Sequence, residues 1–315
     1  MLFCALIAVG ALQMLSNVME WQALTSFVSR IELRPVDQLP GRGLLRFVVQ
    51  RIRSQPESLM PEEKSEDVAE DLDEQRQPGQ RLLYIEGDFA LKPVTRKADY
   101  NELAFYEDVA KRHTGVEAFM PRYYGARFVP YLGKRCLVLE NVARDFKNPS
   151  IMDVKIGRQT WQPTDKKAAR LARKLYPQIQ ELGWCAEGYK VWRDWGNGTW
   201  AYRIKDLHDT RKISVDSIDE LLVSYFGNTK RSKEVVKKLL EKLQKIADYF
   251  DKQIDYQFYS TSIQLVYEGN VERSVKVDAR MMDFGHVEYE PEKDVNFREG
   301  LRSLMDLLTE YRDVL

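Results

Sequence analysis

The chain offers little for disulfide or zinc chemistry. Its 315 residues hold three cysteines and three histidines. Cys4, Cys136 and Cys185 stand far apart, without the close pairs that thiolate metal sites use. So odd and sparse a set argues against a disulfide framework and fits a reducing compartment. His113, His208 and His286 are as scattered, which argues against a multi-histidine metal site. Net charge is missing too, because 48 Lys and Arg face 48 Asp and Glu. No global field attracts nucleic acid, so an anion site has to come from local clustering. No internal repeat of fixed period is present. The length allows one large domain or two modest ones with real cores.

Apolar runs long enough for a membrane are scarce as well. MLFCALIAVGALQML, at 1–15, is shorter than the roughly 20 residues a span requires. No Lys or Arg precedes it, and the first basic residue is Arg30. Membrane association through this N-terminus is therefore the secondary expectation, beside a helix packed on the body or an atypical start to the chain. Residues 53–80 are polar, acidic and poor in aromatics, and predict a disordered linker or exposed loop.

What is present begins near Arg81. RLLYIEGDFALKP predicts a β-hairpin with Glu86-Gly87-Asp88 at its turn. Asp99-Tyr100-Asn101-Glu102 opens a helix whose apolar face carries Leu103, Tyr106 and Val109-Ala110. RYYGARFVPYL and KRCLVLENV predict two further strands. From 149 the pattern becomes mixed. Helix-period segments cover about 164–182, 215–226 and 231–251, strand-like runs 257–268 and 274–284, and a last helix about 297–314. The expected organisation is an N-terminal segment 1–80, a small lobe 81–142 of antiparallel strands with one helix, and a larger mixed α+β lobe 143–315. A cleft between two such lobes is a common ligand site.

The most informative stretch is Pro149-Ser150-Ile151-Met152-Asp153-Val154-Lys155-Ile156-Gly157. Alternation along a strand sends Asp153 and Lys155 to one face and Met152, Val154 and Ile156 to a core. Charges are rarely buried without a partner or ligand. Gly157 allows close backbone approach. The arrangement suits a site for a metal-bound, highly anionic substrate. A surface strand with an internal ion pair would have the same spacing.

The whole string resembles the Pro-x-x-x-Asp-x-Lys-x-Gly signature of the inositol polyphosphate kinase family. Further ordered matches run from about Leu82 to the C-terminus. LKP followed by NELAFYEDV is similar to the family's strand lysine and helix glutamate. FYSTSIQLVYEG is similar to its Ser-Ser-Leu-Leu segment, and VDARMMDFGHV followed by FREGLRSLMDLL to its metal aspartate and closing helix. The resemblance implies an α+β, two-lobed, protein-kinase-like fold. It also implies an ATP- and Mg2+-dependent enzyme that transfers the γ-phosphate to an inositol polyphosphate.

Carried over residue by residue, the resemblance implies that Lys92, oriented by Glu102, meets the nucleotide phosphates. Glu140 supplies a carbonyl and Val142 an amide to the adenine. Asp283 holds the metal, with Ser262 as a second metal contact and Thr261 as packing. Lys155 bridges the acceptor hydroxyl and the γ-phosphate. Asp153 orients the ribose or the acceptor, with a general-base role also open. Lys166, Lys167, Arg170, Arg173 and Lys174 form the substrate-binding helix, and His286 faces the inositol phosphate.

KKAARLARK is close to the hexakisphosphate kinase form, whereas IMDVKIG leans toward the multikinases, so both subgroups stay open. A trisphosphate 3-kinase is disfavoured by the absence of a long insert. A phosphoinositide headgroup remains a further acceptor. A monomeric, cytoplasmic or nuclear protein that does not bind nucleic acid is expected. Three departures stand out. Gly285 replaces the family's usual alanine, Gln264 occupies an apolar position, and the Pro-Leu-x-x-Gln-Val-x-Gly-His element is not found. Leu39-Pro40-Gly41 is only its faint echo. The departures at 264 and in the N-terminal segment leave a second expectation, a catalytically weak inositol-phosphate-binding or scaffold protein.

Overall fold

A computed structural model describes residues 83–315 apart from 195, 197 and 211. The apolar start, the acidic stretch at 53–80 and the missing N-terminal element all fall outside those residues. No helix among the described residues is long and apolar enough to cross a membrane.

The first layer is a four-stranded antiparallel sheet in the order β1-β2-β4-β3. It contains β1 (Tyr84–Glu86), β2 (Phe89–Pro93), β3 (Tyr123–Val129) and β4 (Lys134–Glu140). The predicted hairpin is there. Glu86 pairs with Phe89, and Gly87-Asp88 closes the turn with Gly87 at φ +55°. A two-residue turn of this kind needs the positive φ that glycine takes without cost.

Helix α1 (Lys97–Arg112) packs on this sheet through Leu103, Phe105, Tyr106 and Val109. Buried Asp99 closes its N-terminus, accepting from the amides of Thr95 at 3.0 Å and Arg96 at 2.8 Å. A carboxylate here satisfies donors the helix cannot and complements its dipole. The cap therefore fixes where α1, and Glu102 one turn on, can sit.

The second layer is a five-stranded antiparallel sheet in the order β10-β9-β5-β6-β7. Its members are β5 (Pro149–Ile156), β6 (Trp184–Asp194), β7 (Trp200–Lys205), β9 (Ser262–Glu268) and β10 (Val277–Met282). β5 is central, flanked by β9 and β6. Met152, Val154 and Ile156 are buried as expected, but so is Asp153, and Lys155 is mostly covered. The signature is therefore a core strand and not a surface one.

The helices around this sheet are α2 (Lys166–Leu175), α3 (Ile179–Leu182), α4 (Leu207–Thr210), α5 (Ile218–Phe226), α6 (Lys230–Phe250) and α7 (Val295–Val314). The predicted helix at 164–182 is split at Tyr176-Pro177, because proline disfavours helical geometry in the residue before it. The run 257–268 is likewise divided, into β8 (Gln257–Phe258) and β9, and β8 pairs with β11 (Val287–Glu288). Ser260, at φ +57°, makes the break. β6 and β7 were not foreseen. The pairing of β5 with β6 shifts register after Asp153, so β6 does not keep strict two-residue alternation.

The end of the signature is clamped by α7. Asn296 accepts from the Gln159 amide at 2.9 Å and donates to the Gln159 carbonyl at 2.8 Å. Gly157 lies at φ +99°, where a Cβ would collide with the Asn296 side chain. Gly157→Ala is expected to cost about 1–3 kcal/mol through strain and overpacking. Gly87→Ala, at an open turn with nothing in the way, should cost about 1–2 kcal/mol from backbone handedness alone. Urea unfolding of the two variants checks the order. Only the substitution at 157 should also weaken binding in the cleft.

Candidate active site

Lys92 leaves β2 from a buried position and meets two carboxylates. Its Nζ lies 2.8 Å from Glu102 Oε2 on α1 and 2.5 Å from Asp283 Oδ1 beyond β10. Burial alone would disfavour the ammonium. Asp283 and Glu102 outweigh that and hold Lys92 above its ordinary range. The predicted lysine and glutamate are thus brought together across the small lobe, and the predicted metal aspartate joins them from the larger one.

Asp283 sits at φ +66°, a left-handed conformation uncommon outside glycine and taken most readily by Asn and Asp among the rest. Two contacts maintain it. Thr261, expected only to pack, donates its hydroxyl to the Asp283 carbonyl at 3.2 Å. Phe284 is fully buried, stacked on Phe105 with ring centres 4.9 Å apart and edge-on to Tyr106 at 5.5 Å. The helix that carries Glu102 thus also anchors the residue after Asp283. Gly285 permits this approach, since a Cβ there would meet the Ala98 carbonyl of α1. The departure from alanine is matched by the tight seat of the helix. Asn101 adds a bond to the Gly285 carbonyl at 3.2 Å.

A pocket opens beside the Lys92 cluster, lined by Leu83, Ala90, Tyr106, Leu139, Glu140 and Met282, with Lys92, Glu102 and Asp283 at its polar end. Its apolar part suits a planar base and its charged part suits phosphates. Glu140 ends β4 at this pocket, and its side chain pairs with Arg144 at 3.0 Å. The Val142 amide makes no hydrogen bond to another described residue.

On β5, Lys155 Nζ lies 2.6 Å from Glu187 Oε1 and 5.6 Å from the centre of the Tyr176 ring. Burial opposes its charge, but Glu187 outweighs that and keeps it a cation. Asp153 accepts from Gln264 Nε2 at 3.0 Å across the β5–β9 pair. Gln264 is therefore the partner of a buried carboxyl, which an apolar residue could not be. Burial lifts the Asp153 pKa to about 8. Gln264 works against the shift, Asp283 and Glu187 add to it, and Lys92 opposes it.

Each of the other predicted residues has a defined place in the fold. Ser262 donates to Glu187 Oε2 at 3.2 Å. His286 lies in the turn before β11, where its carbonyl accepts from the Tyr259 amide at 3.3 Å. Lys166, Lys167, Arg170, Arg173 and Lys174 are all exposed on α2. None of the five pairs with a carboxylate among the described residues, and Arg173 stacks over Trp161 at 5.2 Å. Tyr176, the C-cap of α2, donates to Glu187 Oε1 at 3.3 Å. The basic helix is thereby tied directly to the Lys155 cluster.

Sequence reasoning missed Glu187, Tyr176 and the role of Gln264. A signal for Glu187 existed: a lone carboxylate beside a glycine in an apolar run, the same kind of signal that singled out Asp153.

Two ammonium groups, Lys92 and Lys155, thus face four carboxyls, Glu102, Asp153, Glu187 and Asp283. This excess of hard oxygen donors fits a divalent cation, with Asp283, the less covered of the two carboxylates on Lys92, best placed to hold it.

Fold and site together define a two-lobed phosphotransferase-like architecture. The sequence profile of the inositol polyphosphate kinase family matches residues 136–309, more than half of the chain. The chain belongs to the inositol polyphosphate kinase family. It is 31% identical over 179 residues to human inositol polyphosphate multikinase, covering 54% of this chain and 42% of that protein. It is 26% identical over 206 residues to mouse inositol hexakisphosphate kinase 3, covering 57% of this chain and 51% of that one. The chain thus spans about half or less of the length of these relatives. The inositol phosphate multikinase Ipk2 from S. cerevisiae, solved with ADP and Mn2+, superposes with a TM-score of 0.59 at 21% identity, over 71% of this chain and 99% of that one. That likeness shows the shared fold.

The Asp153 site predicts a pH dependence. Its folded pKa of about 8 lies above the ordinary 3.8, so folding favours the neutral form. The contribution is complete below pH 4 and declines as pH rises toward 8, at about 1.4 kcal/mol per pH unit for one group. In metal-free buffer, Asp153→Asn should flatten this decline. Chemical denaturation across that range checks it, and parallel slopes in the two proteins would refute it.

Proposed function

We propose that this protein transfers the γ-phosphate of ATP to an inositol polyphosphate. The observation that carries the reading is the Lys92–Glu102–Asp283 cluster at the charged end of the pocket, with buried Asp153 electrostatically coupled to it and to Glu187, and a basic helix anchored through Tyr176 to Glu187, the partner of Lys155. Family membership and the curated relatives named above support the same substrate class.

The division of labour follows from position. The apolar part of the pocket takes the adenine, with backbone groups at Glu140 and Val142 as its hydrogen-bonding edge. Lys92 binds the nucleotide phosphates, and Glu102 keeps its ammonium aimed at them. Asp283 would hold Mg2+, which supplies charge neutralisation on the phosphates when bound. The exposed cations Lys166, Lys167, Arg170, Arg173 and Lys174 hold the acceptor's phosphates, as Arg and Lys clusters do.

In the reaction the bond from the γ-phosphorus to the β–γ bridging oxygen breaks. A bond to the acceptor oxygen forms, ADP leaves, and the acceptor's proton passes to solvent water. Lys155 offsets the negative charge on the transferring group, and buried Asp153 orients the acceptor hydroxyl. A loose transition state calls for this kind of positioning and charge stabilisation more than for a strong base.

The test is the full-length protein with Mg2+, labelled ATP and a panel of inositol phosphates. Transfer to a tris- or tetrakisphosphate is expected for a multikinase acceptor, and transfer to the hexakisphosphate for a pyrophosphate-forming enzyme. Asp283→Asn should abolish either. Binding of inositol phosphate without transfer to any acceptor would overturn the enzyme reading in favour of a scaffold. Arg170→Ala and Arg173→Ala should each raise the acceptor KM about tenfold, the order expected for one charge-assisted hydrogen bond. Raising the ionic strength should act in the same direction.

A further inference from the structure

Glu187 is placed in the cleft by an irregularity of the sheet. β5 and β6 pair as Met152 with Tyr189 and Asp153 with Gly188, then resume as Val154 with Ala186. Glu187 is therefore the extra residue of a β-bulge. Two residues of β6, Glu187 and Gly188, stand against the single Asp153, and Gly188 takes a φ of +151° there. A bulge re-aims a side chain that regular alternation would place elsewhere, and bulges concentrate beside active sites for that reason.

The re-aimed carboxylate is 8% exposed as a residue and has three partners from three separate elements. Lys155 of β5 lies 2.6 Å from Oε1, Tyr176 at the end of α2 donates to the same oxygen at 3.3 Å, and Ser262 of β9 donates to Oε2 at 3.2 Å. A lysine has four rotatable side-chain bonds and no geometry of its own. Lys155 owes its place in the cleft to this one carboxylate and the Tyr176 ring beside it. The carboxylate in turn is held by the end of the acceptor-side helix and by β9, whose Ser262 pairs with Met282 next to Asp283.

We propose that Glu187 is a positioning residue for phosphoryl transfer: it aims the Lys155 ammonium and, through Tyr176, links that aim to the seating of the basic helix. The proposal rests on the kinase reading. It adds that the acceptor-side cations and the catalytic lysine act through one shared carboxylate. Glu187 itself touches neither nucleotide nor acceptor. Its removal acts on the chemical step and on acceptor seating, and leaves nucleotide binding at Lys92 and Glu102 alone.

Glu187→Gln tests this, because the amide keeps the shape and the capacity to bond Ser262 and Tyr176 while losing the charge that holds Lys155. A displaced catalytic group of this kind lowers turnover on the order of a hundredfold. The expected result is that loss in kcat, with the ATP KM within about twofold and a lowered melting temperature, because Lys155 loses its buried partner. Glu187→Asp, which keeps the charge on a shorter stem, should recover part of the loss. Tyr176→Phe should raise the acceptor KM and leave the ATP KM in place.

An unchanged kcat in Glu187→Gln would overturn the proposal. So would a parallel collapse of kcat, ATP binding and melting temperature in both Glu187 variants, since that is what a purely structural carboxylate produces. Absence of transfer by the unsubstituted protein would instead overturn the kinase reading, and this proposal with it.

Discussion

Keeping two ammonium groups and four carboxyls in a largely dehydrated cleft is the constraint on which the rest of the structure depends. Each charge taken from water costs more than a neutral side chain, and only close, well-aimed partners offset that cost. Lys92 is stabilised by Glu102 and Asp283, Lys155 by Glu187, and Asp153 by Gln264. Carboxyls outnumber cations, and the surplus is visible in Asp153, which burial and its acidic neighbours hold near pKa 8. Such a cleft is short of positive charge. A divalent cation and the basic surface of α2 are the complements to that excess of carboxyls.

Aiming these charges is a task for the backbone. Asp283 keeps a left-handed conformation because Thr261 holds its carbonyl and Phe284 is fixed between Phe105 and Tyr106. Since Phe105 and Tyr106 ride on the helix that carries Glu102, the two partners of Lys92 are mechanically coupled. The Gly285–Ala98 contact tightens the same joint. On the other side, the β6 bulge sets the middle of β5 at Asp153, and the Asn296 clamp at Gly157 sets its end. Strain and close glycine contacts are concentrated at this site, which is where the surrounding structure has to over-determine the chain.

The solvent-facing part has the opposite character. α2 buries no residue, and its cations are exposed with no carboxylate partners among the described residues. Leu175, in its last turn, packs against buried Tyr176, Ile179 and Cys185, and the rest of α2 is positioned mainly by its ends. Asp165 accepts from the Ala168 amide at 2.8 Å at the start, and Tyr176 reaches the Lys155–Glu187 pair at the finish. The arrangement leaves a charged surface exposed while keeping one end in register with Lys155.

By itself the sequence determined the hairpin that carries Lys92, the amphipathic helix with Glu102, the apolar strand with Asp153 and Lys155, and the basic run after it. These are local signals, written in period, turn residues and capping, which depend on neighbours a few positions away. The tertiary structure alone decided that β5 is buried on both faces, that Gln264 and Asp153 are partners 111 positions apart, and that Glu187 belongs to the site. β6 escaped notice because its bulge breaks the alternation by which strands are recognised, and that same break brings Glu187 to Lys155. Which charges can be buried together depends on side chains that meet only when distant strands pair, and no local pattern encodes that meeting.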